Sequence, residues 1–163
     1  MRKLSVLAIF LAAACAQQRE EQGDAGTNRA VDVPSPPPVQ TATLTGLYES
    51  AGPGPGQLCI TEQGGTARFG LVTRSSGVAQ CSGAGTATLR GTTLRLAMNG
   101  ESACTIEARM EGRRLTFPAE LPRGCAYYCS PGGGLGTPPF EKVGGAREDA
   151  LRARDLAGGP LCT

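Results

Sequence analysis

Residues 67–110 read ARFGLVTRSSGVAQCSGAGTATLRGTTLRLAMNGESACTIEARM, and this stretch decides the fold. Apolar and polar residues alternate through it in short runs, which are separated by Gly-containing turns at 75–77, 91–92 and 99–100. Alternation with a period of two is typical of strands that bury one face, and closely spaced turns favour hairpins. The stretch therefore predicts a meander of short antiparallel strands.

The same pattern continues on both sides of this stretch. It predicts strands over 44–50 and 57–62 before it and over 114–119 after it. Short strands with turns about every 8 to 12 residues are typical of a small barrel or sandwich. Residues 120–145 predict irregular structure, and 146–157 predict one C-terminal helix, supported by a Glu148–Arg152 pair. The expected fold class is mainly β, with that single helix.

If each turn closes a hairpin, the alternation assigns the side chains to two faces of the sheet. One face is apolar and forms the predicted core, which consists of Phe69, Leu71, Leu89, Leu94, Leu96, Ile106, Leu115 and Phe117. The opposite face carries Arg68, Arg74, Arg90, Arg95 and Arg109. The same pairing puts three cysteines on the apolar face toward one end, where a fourth follows the last strand: Cys59, Cys81, Cys104 and Cys125.

The predicted domain contains six cysteines, and the chain contains no His. The six are Cys59, Cys81, Cys104, Cys125, Cys129 and Cys162. An even number of cysteines in an exported domain predicts three disulfides, which compensate for a core with few aromatic residues. A zinc site normally uses paired C-x2-C elements or His ligands, and the sequence has neither. We therefore expect disulfides, with no metal and no cofactor.

The strand pairing also predicts which cysteines are bonded. Bonded cysteines need neighbouring Cα atoms, so the four at one end should pair among themselves. Pairing as Cys59–Cys81 and Cys104–Cys125 closes the shorter loops. This leaves Cys129 to bond Cys162 and to hold the C-terminal helix against the sheet.

The first fifteen residues are typical of an export signal. Arg2 and Lys3 begin it, an apolar run follows over 4–11, and three alanines lead into Cys15. The run is shorter than the roughly 20 residues that span a bilayer. Small residues before a Cys resemble the lipobox of bacterial lipoproteins, although Ala12 stands where that motif usually has a large aliphatic residue. The resemblance implies a lipid on Cys15. The alternative is cleavage after Ala16, which would release a soluble periplasmic or secreted protein.

Residues 16–43 predict a disordered linker, because they are polar at first and then rich in proline. The expected organisation is a leader with lipobox over 1–15, this linker, and a disulfide-stabilised β domain over 44–163.

Cleavage of the leader removes Arg2 and Lys3. The number of basic residues then falls from 16 to 14, which equals the number of acidic residues, 14. A neutral mature chain gives no electrostatic reason to expect a nucleic-acid partner. The expected location is the bacterial cell envelope, anchored by lipid and facing the periplasm.

The same strand pairing brings several arginines to the end of the sheet opposite the cysteines. They are Arg68, Arg90, Arg109, Arg113 and Arg114. Arg109 is predicted to lie directly across from Arg114, and like charges opposed in this way are destabilising. The cluster therefore predicts a site where guanidinium groups bind an anionic partner in bidentate fashion. The alternative is a solvated face balanced by nearby glutamates at 62, 107 and 111.

Catalytic chemistry has little support in the sequence. Ser130 has no His to act as its base, and Lys142 is the sole Lys after residue 3. We therefore expect a binding module for a protein or an anionic ligand, which is not an enzyme. The alternative is a small periplasmic hydrolase or transferase with an atypical site, for which a concave pocket with converging polar groups would be the sign.

Three segments resemble a set of small uncharacterised lipoproteins of alphaproteobacteria. They are CAYYC over 125–129, the Pro-Gly-rich loop after it, and DLAGGPLC over 155–162. The resemblance covers about residues 44–163 and implies no activity. In architecture alone, a small lipid-anchored β-barrel is similar to bacterial lysozyme and protease inhibitors, and this analogy carries no function by itself.

Overall fold

The computed structural model describes residues 43–52, 56–74, 80–100, 103–135 and 138–163. Within these ranges, eight antiparallel strands form one closed barrel in which each strand pairs with the next and β8 closes on β1. The strands are β1 (Gly46–Ser50), β2 (Gln57–Gln63), β3 (Thr66–Arg74), β4 (Gln80–Arg90), β5 (Thr93–Met98), β6 (Thr105–Glu111), β7 (Arg114–Thr116) and β8 (Phe140–Gly144). A 3-10 helix, Cys125–Tyr128, precedes β8, and a one-turn helix, α1 (Arg147–Ala150), follows it.

Two-residue turns close the β2–β3, β4–β5 and β6–β7 hairpins, and each begins with a Gly at positive φ. The φ values are 59° at Gly64, 58° at Gly91 and 61° at Gly112. Glycine adopts this conformation without steric penalty, and it matches the twist of a tight hairpin. The turns fix the register of the flanking strands, and they are the reason that the meander was predictable.

The predicted core residues lie inside the barrel. Seven of them are buried, and Leu89 is partly buried against the same cluster. The rings of Phe117 and Phe140 meet edge to face with centroids 5.1 Å apart. The five arginines assigned to the outer face, at 68, 74, 90, 95 and 109, are all exposed. The mainly β fold is therefore confirmed, the barrel is the correct one of the two predicted alternatives, and the faces assigned to these core residues and arginines are correct.

Two elements near the C-terminal end differ from the prediction. The segment predicted as irregular contains β8, whose Phe140 pairs with both Leu115 and Ser50 and thereby closes the barrel. The predicted helix over 146–157 is only the single turn of α1. Asp155 Oδ1 accepts hydrogen bonds from the backbone N–H groups of Ala157 and Gly159, at 2.8 and 2.7 Å. These bonds form a local turn inside the segment predicted as helix, and the N–H of Arg154 donates to Gln57 Oε1 at 2.8 Å, so the backbone from Arg154 onward bonds outside a helical pattern.

Three disulfides join the six described cysteines, and one of the three predicted pairs is correct. Cys104–Cys125 is confirmed. The other two predicted pairs, Cys59–Cys81 and Cys129–Cys162, are wrong. The actual bonds are Cys59–Cys162 and Cys81–Cys129.

The position of Cys59 explains the error. Its neighbours Leu58 and Ile60 point into the barrel, so alternation puts Cys59 on the outer face. There it joins a second small apolar cluster with Leu47, Ala150, Ala153 and Cys162. The C-terminal segment covers this outer cluster. Cys162 therefore holds that segment to the sheet, as predicted, but through β2.

The predicted leader, with its lipidation site Cys15, lies outside the described residues. The same holds for the predicted linker apart from Thr43. Within the described ranges, no helix has the length and apolar character needed to cross a membrane.

Candidate functional site: the outer wall of β4, β5 and β6

The predicted opposition of Arg109 and Arg114 is wrong. The β6–β7 turn consists of Gly112 and Arg113, one residue later than an opposition of Arg109 and Arg114 requires, so Glu111 faces Arg114 and Thr116 faces Arg109. Arg109 Nε donates to Glu111 Oε1 at 2.7 Å. Both side chains therefore stand beside carboxylates, since Arg114 also pairs with Glu141 at 3.3 Å. Their guanidinium groups already have anionic partners within the chain.

Arg113 belongs to a separate group around Lys142. Its Nη2 donates to the backbone carbonyl of Lys142. Lys142 Nζ donates to the Thr43 carbonyl at 2.7 Å and lies 5.5 Å from the centre of the Tyr48 ring. Burial, with help from Arg113, lowers the pKa of Lys142, while Glu62 opposes this shift. These contacts hold Lys142 and Arg113 in structural roles.

Arg68 also lies apart from the other predicted site residues. On the outer face of β3 it pairs with Thr61 on one side and Thr86 on the other. It lines a concavity of about 190 Å³ whose other wall includes Leu161 and Cys162. Arg90 is four residues farther along β4 than Thr86. The five predicted arginines therefore do not form one cluster.

Arg90 and Arg95 form a closer pair on the outer wall. In the β4–β5 register, Arg90 faces Thr93 and Thr88 faces Arg95, so the two arginines occupy diagonal positions. Diagonal neighbours across two strands lie roughly 7–8 Å apart, within reach of side chains as long as Arg. Together with Glu107 of β6, these four residues line a concavity of about 370 Å³.

Neither Arg90 nor Arg95 has a carboxylate partner among the residues that the structure describes. The ion pairs there are Arg109–Glu111, Arg114–Glu141 and Arg152–Asp149. Glu107 is paired with Arg95 in the strand register but forms no ion pair with it. The two guanidinium groups are thus exposed and available to an external anion.

A second concavity continues the first across the wall. It measures about 460 Å³ and shares Arg95 and Glu107 with the first, and its remaining lining residues are Thr105, Pro118 and Pro122. The continuous surface lined by both concavities is called the outer-wall groove below. It is cationic at the Arg90 end and bordered by proline rings at the other.

Arg95 was placed on the outer face by the alternation but was not predicted as a binding residue. The available signal was the repeated Thr-x-Arg pattern of 88–90 and 93–95, which sets Thr and Arg side by side on facing strands. The turn between them supplies the register. The register of these two strands brings the two arginines together.

Ser130 has a structural role in the segment after the 3-10 helix. Its Oγ accepts a hydrogen bond from the Gln80 N–H at 2.9 Å, and its own N–H donates to the Gln80 carbonyl at 2.8 Å. This segment is therefore fixed to the start of β4. In the described part of the chain, no three His, Cys, Asp or Glu side chains are grouped as metal ligands.

Comparisons of the chain with protein-family models, with curated proteins and with solved structures find no match in any of the three.

Proposed function

We propose that this chain is a lipid-anchored protein of the bacterial cell envelope whose barrel binds acidic groups of a partner. It acts as a binding module without catalysis. The ligand lies on the outer wall, where Arg90 and Arg95 bind its carboxylates. The single observation that carries this proposal is the diagonal pair of exposed guanidinium groups without carboxylate partners in the described structure.

The packing of the barrel favours an external site. Leu58, Leu71, Leu94, Leu96 and Ile106 all point inward and have no exposed surface. Small barrels are commonly filled by side chains in this way, and larger ones enclose ligands. A partner would therefore meet the outer face of the strands.

The chemistry of the groove suits carboxylates. Arginine presents a planar fork of donors that matches a carboxylate in bidentate geometry. Hydrogen bonds to charged groups contribute about 1.5–3 kcal/mol each, more than neutral ones. The hydroxyl groups of Thr88 and Thr93 beside the arginines offer further donors. Glu107 repels a carboxylate placed beside it, which directs the carboxylates of a ligand toward Arg90 and the threonines.

The exported location is supported by two features of the chain. A basic start, an apolar run and small residues lead into Cys15. Three disulfides join the six described cysteines, and disulfides persist in oxidising compartments such as the periplasm. The lipid and the linker would hold the barrel at a membrane surface with its groove accessible.

The proposal is tested by titrating the detergent-solubilised full chain with poly-L-glutamate in a calorimeter. The variant Arg90→Glu/Arg95→Glu should bind at least about tenfold more weakly, equal to about 1.4 kcal/mol. The matched control Arg74→Glu/Arg147→Glu makes the same change in net charge at two exposed arginines without ion pairs in the described structure. Equal losses in the two variants would mean that only net charge matters, and the proposal would be wrong.

A further inference from the structure

The concavity beside Arg68 lies on the outer face of β2, β3 and β4 and is separate from the outer-wall groove. It measures about 190 Å³ and shares no lining residue with either concavity of the groove. A single water needs only about 10–15 Å³ of such a volume, so there is room for a small polyatomic ion. The groups that line the concavity decide which ion fits.

Thr61 is almost fully buried, yet its hydroxyl group has no hydrogen-bond partner within the described ranges. Only 4% of the residue is exposed. The side chain of Ile60 points into the barrel, so Thr61, one residue later in β2, points outward. Every described side-chain oxygen that is sealed from solvent has a partner, so the hydroxyl group must be open to the concavity that Thr61 lines. Buried polar groups are normally hydrogen-bonded, and one that opens into a concavity indicates a ligand.

Arg68 lies directly opposite Thr61 in the β2–β3 register, on the same outer face. The Cβ atoms of residues opposed in this way lie roughly 4.5–5.5 Å apart, so both side chains reach one small ligand. Arg68 has no carboxylate partner in the part of the chain that the structure describes. The one carboxylate of β2, that of Glu62, instead accepts hydrogen bonds from the N–H and hydroxyl groups of Thr45, at 3.2 and 2.9 Å.

One wall of the concavity is the segment Leu161–Thr163, which is fixed in place. Cys162 is bonded to Cys59, and the Leu161 N–H donates to the Ala153 carbonyl at 3.0 Å. A wall that is ordered before the ligand arrives lowers the entropic cost of binding.

Asn99 contributes a further donor from another side. Its backbone N–H donates to the Ala84 carbonyl at 2.8 Å, and its carbonyl accepts from the Tyr128 hydroxyl at 2.6 Å. These bonds fix the backbone of Asn99, while its side-chain amide forms no hydrogen bond with any described residue. The small side chain of Ala84 lines the concavity and keeps it open.

We propose that this concavity binds a small tetrahedral oxyanion, namely phosphate or the phosphate group of a small ester. The Arg68 guanidinium group binds two of its oxygens, and the Thr61 hydroxyl and Asn99 amide groups donate to the others. A carboxylate has only two oxygens in one plane, which the guanidinium fork alone would occupy. The site is independent of the carboxylate site on the outer wall.

NMR of arginine Nε–H groups tests the proposal, in a titration of the detergent-solubilised full chain with sodium phosphate at constant ionic strength. The Arg68 signal should shift and saturate. Arg74 is the matched control, because it is exposed on the outer face of the same strand and has no ion pair in the described structure. Equal responses of Arg68 and Arg74, or a stronger response of Arg68 to acetate than to phosphate, would overturn the inference.

Two uncharged substitutions test the concavity itself. Thr61→Val should weaken phosphate binding about tenfold, since one hydrogen bond to an anion is lost. It should not lower the free energy of unfolding, because the hydroxyl group has no partner within the described chain. Ala84→Leu should abolish binding by filling the concavity, whereas Ala97→Leu, on the outer face of β5 and outside the lining, should bind like wild type. Wild-type affinity in both Thr61→Val and Ala84→Leu would contradict the site.

The source of the anion is separated by three further arms. Saturation by inorganic phosphate indicates the free ion, and saturation by glycerol phosphate alone indicates an ester. Deletion of Thr163 should leave the Arg68 signal of the free protein in place. If deletion moves that signal and phosphate does not, the chain itself occupies Arg68 and the inference is wrong. The variant Arg90→Glu/Arg95→Glu should keep the Arg68 response, and its loss there would reduce the effect to general charge.

Discussion

Cys59 in β2 is bonded to Cys162 on the outer face of the barrel, across a sequence separation of 103 residues. The bond fastens the segment after β8 over the outer apolar cluster, where Ala150 and Ala153 are fully buried. The segment contains only one helical turn. Its attachment therefore depends on this bond and on close packing against β1, β2 and β3.

Removal of this bond should destabilise the protein more than removal of Cys104–Cys125. The first closes a separation of 103 residues and the second one of 21. In the chain-entropy account these contribute about 4–5 and about 3 kcal/mol to the free energy of unfolding. Urea denaturation of Cys59→Ala/Cys162→Ala and Cys104→Ala/Cys125→Ala measures both. A smaller loss for the Cys59 and Cys162 variant would contradict this pairing.

Gly70→Ala should also loosen the C-terminal segment. A Cβ atom at Gly70 would lie 2.4 Å from the backbone oxygen of Leu161, a contact that requires the segment to shift. Overpacking of this kind costs about 1–3 kcal/mol of unfolding free energy. At Gly145 the nearest atom would lie 3.9 Å away, so Gly145→Ala is the control. Thermal unfolding should separate the two variants, and equal stability would show that the segment packs elsewhere.

Tyr48 should make the barrel sensitive to high pH. Its hydroxyl donates to the Leu44 carbonyl at 2.8 Å, and burial, aided by Glu62, raises its pKa from 10.0 to about 12. The protonated form is favoured by folding. This stability is therefore fully present below about pH 10 and is lost as the pH rises toward about 12. Tyr48→Phe removes the titrating group.

The measurement for Tyr48 is the free energy of unfolding as a function of pH. Wild type should lose more stability than Tyr48→Phe between about pH 9 and about pH 12. At neutral pH the variant should be about 0.5–1.5 kcal/mol less stable, because one buried hydrogen bond is lost. Parallel curves for the two proteins would show that Tyr48 does not carry the alkaline sensitivity.

The local pattern predicted most of the barrel because turns and alternation are short-range signals. The Gly-led turns fixed the meander, and the inward set from Phe69 to Phe117 followed from it. β8 was missed because its pairing with β1 and β7 is long-range and a five-residue strand between Pro and Gly has a weak signal. A β6–β7 turn placed one residue too early shifts the pairing by two, which preserves the faces but puts Arg114 opposite Arg109 instead of Glu111.

The site was predictable only in part for a related reason. The alternation correctly put the arginines outside, and Arg90 was among the predicted binding residues. Sequence could not show that Arg109 and Arg114 are paired with glutamates, since those contacts depend on the exact register and on β8. The disulfide prediction was wrong for the same reason. Cys59 was assigned to the inner face, and a shift of one residue in the alternation of β2 places it on the outer face, where it is bonded to Cys162.

Lipidation of Cys15 stays a prediction, and metabolic labelling with an alkyne fatty acid tests it. Wild type should incorporate the label and Cys15→Ser should not, because the thiol is the acceptor. Ala12→Leu, which restores the usual aliphatic residue of a lipobox, should label at least as well as wild type. Equal labelling of wild type and Cys15→Ser would contradict the anchor. Mature protein that begins at Gln17 would support the released form.

The central claim is that Arg90 and Arg95 together bind carboxylates on the outer wall. NMR of the arginine side-chain Nε–H groups, recorded during titration of the full chain with poly-L-glutamate, tests it most directly. The signals of Arg90 and Arg95 should shift together and saturate, while those of Arg109 and Arg114, which already have glutamate partners, should stay nearly constant. Shifts spread evenly over all exposed arginines, or confined to Arg109 and Arg114, would contradict the claim.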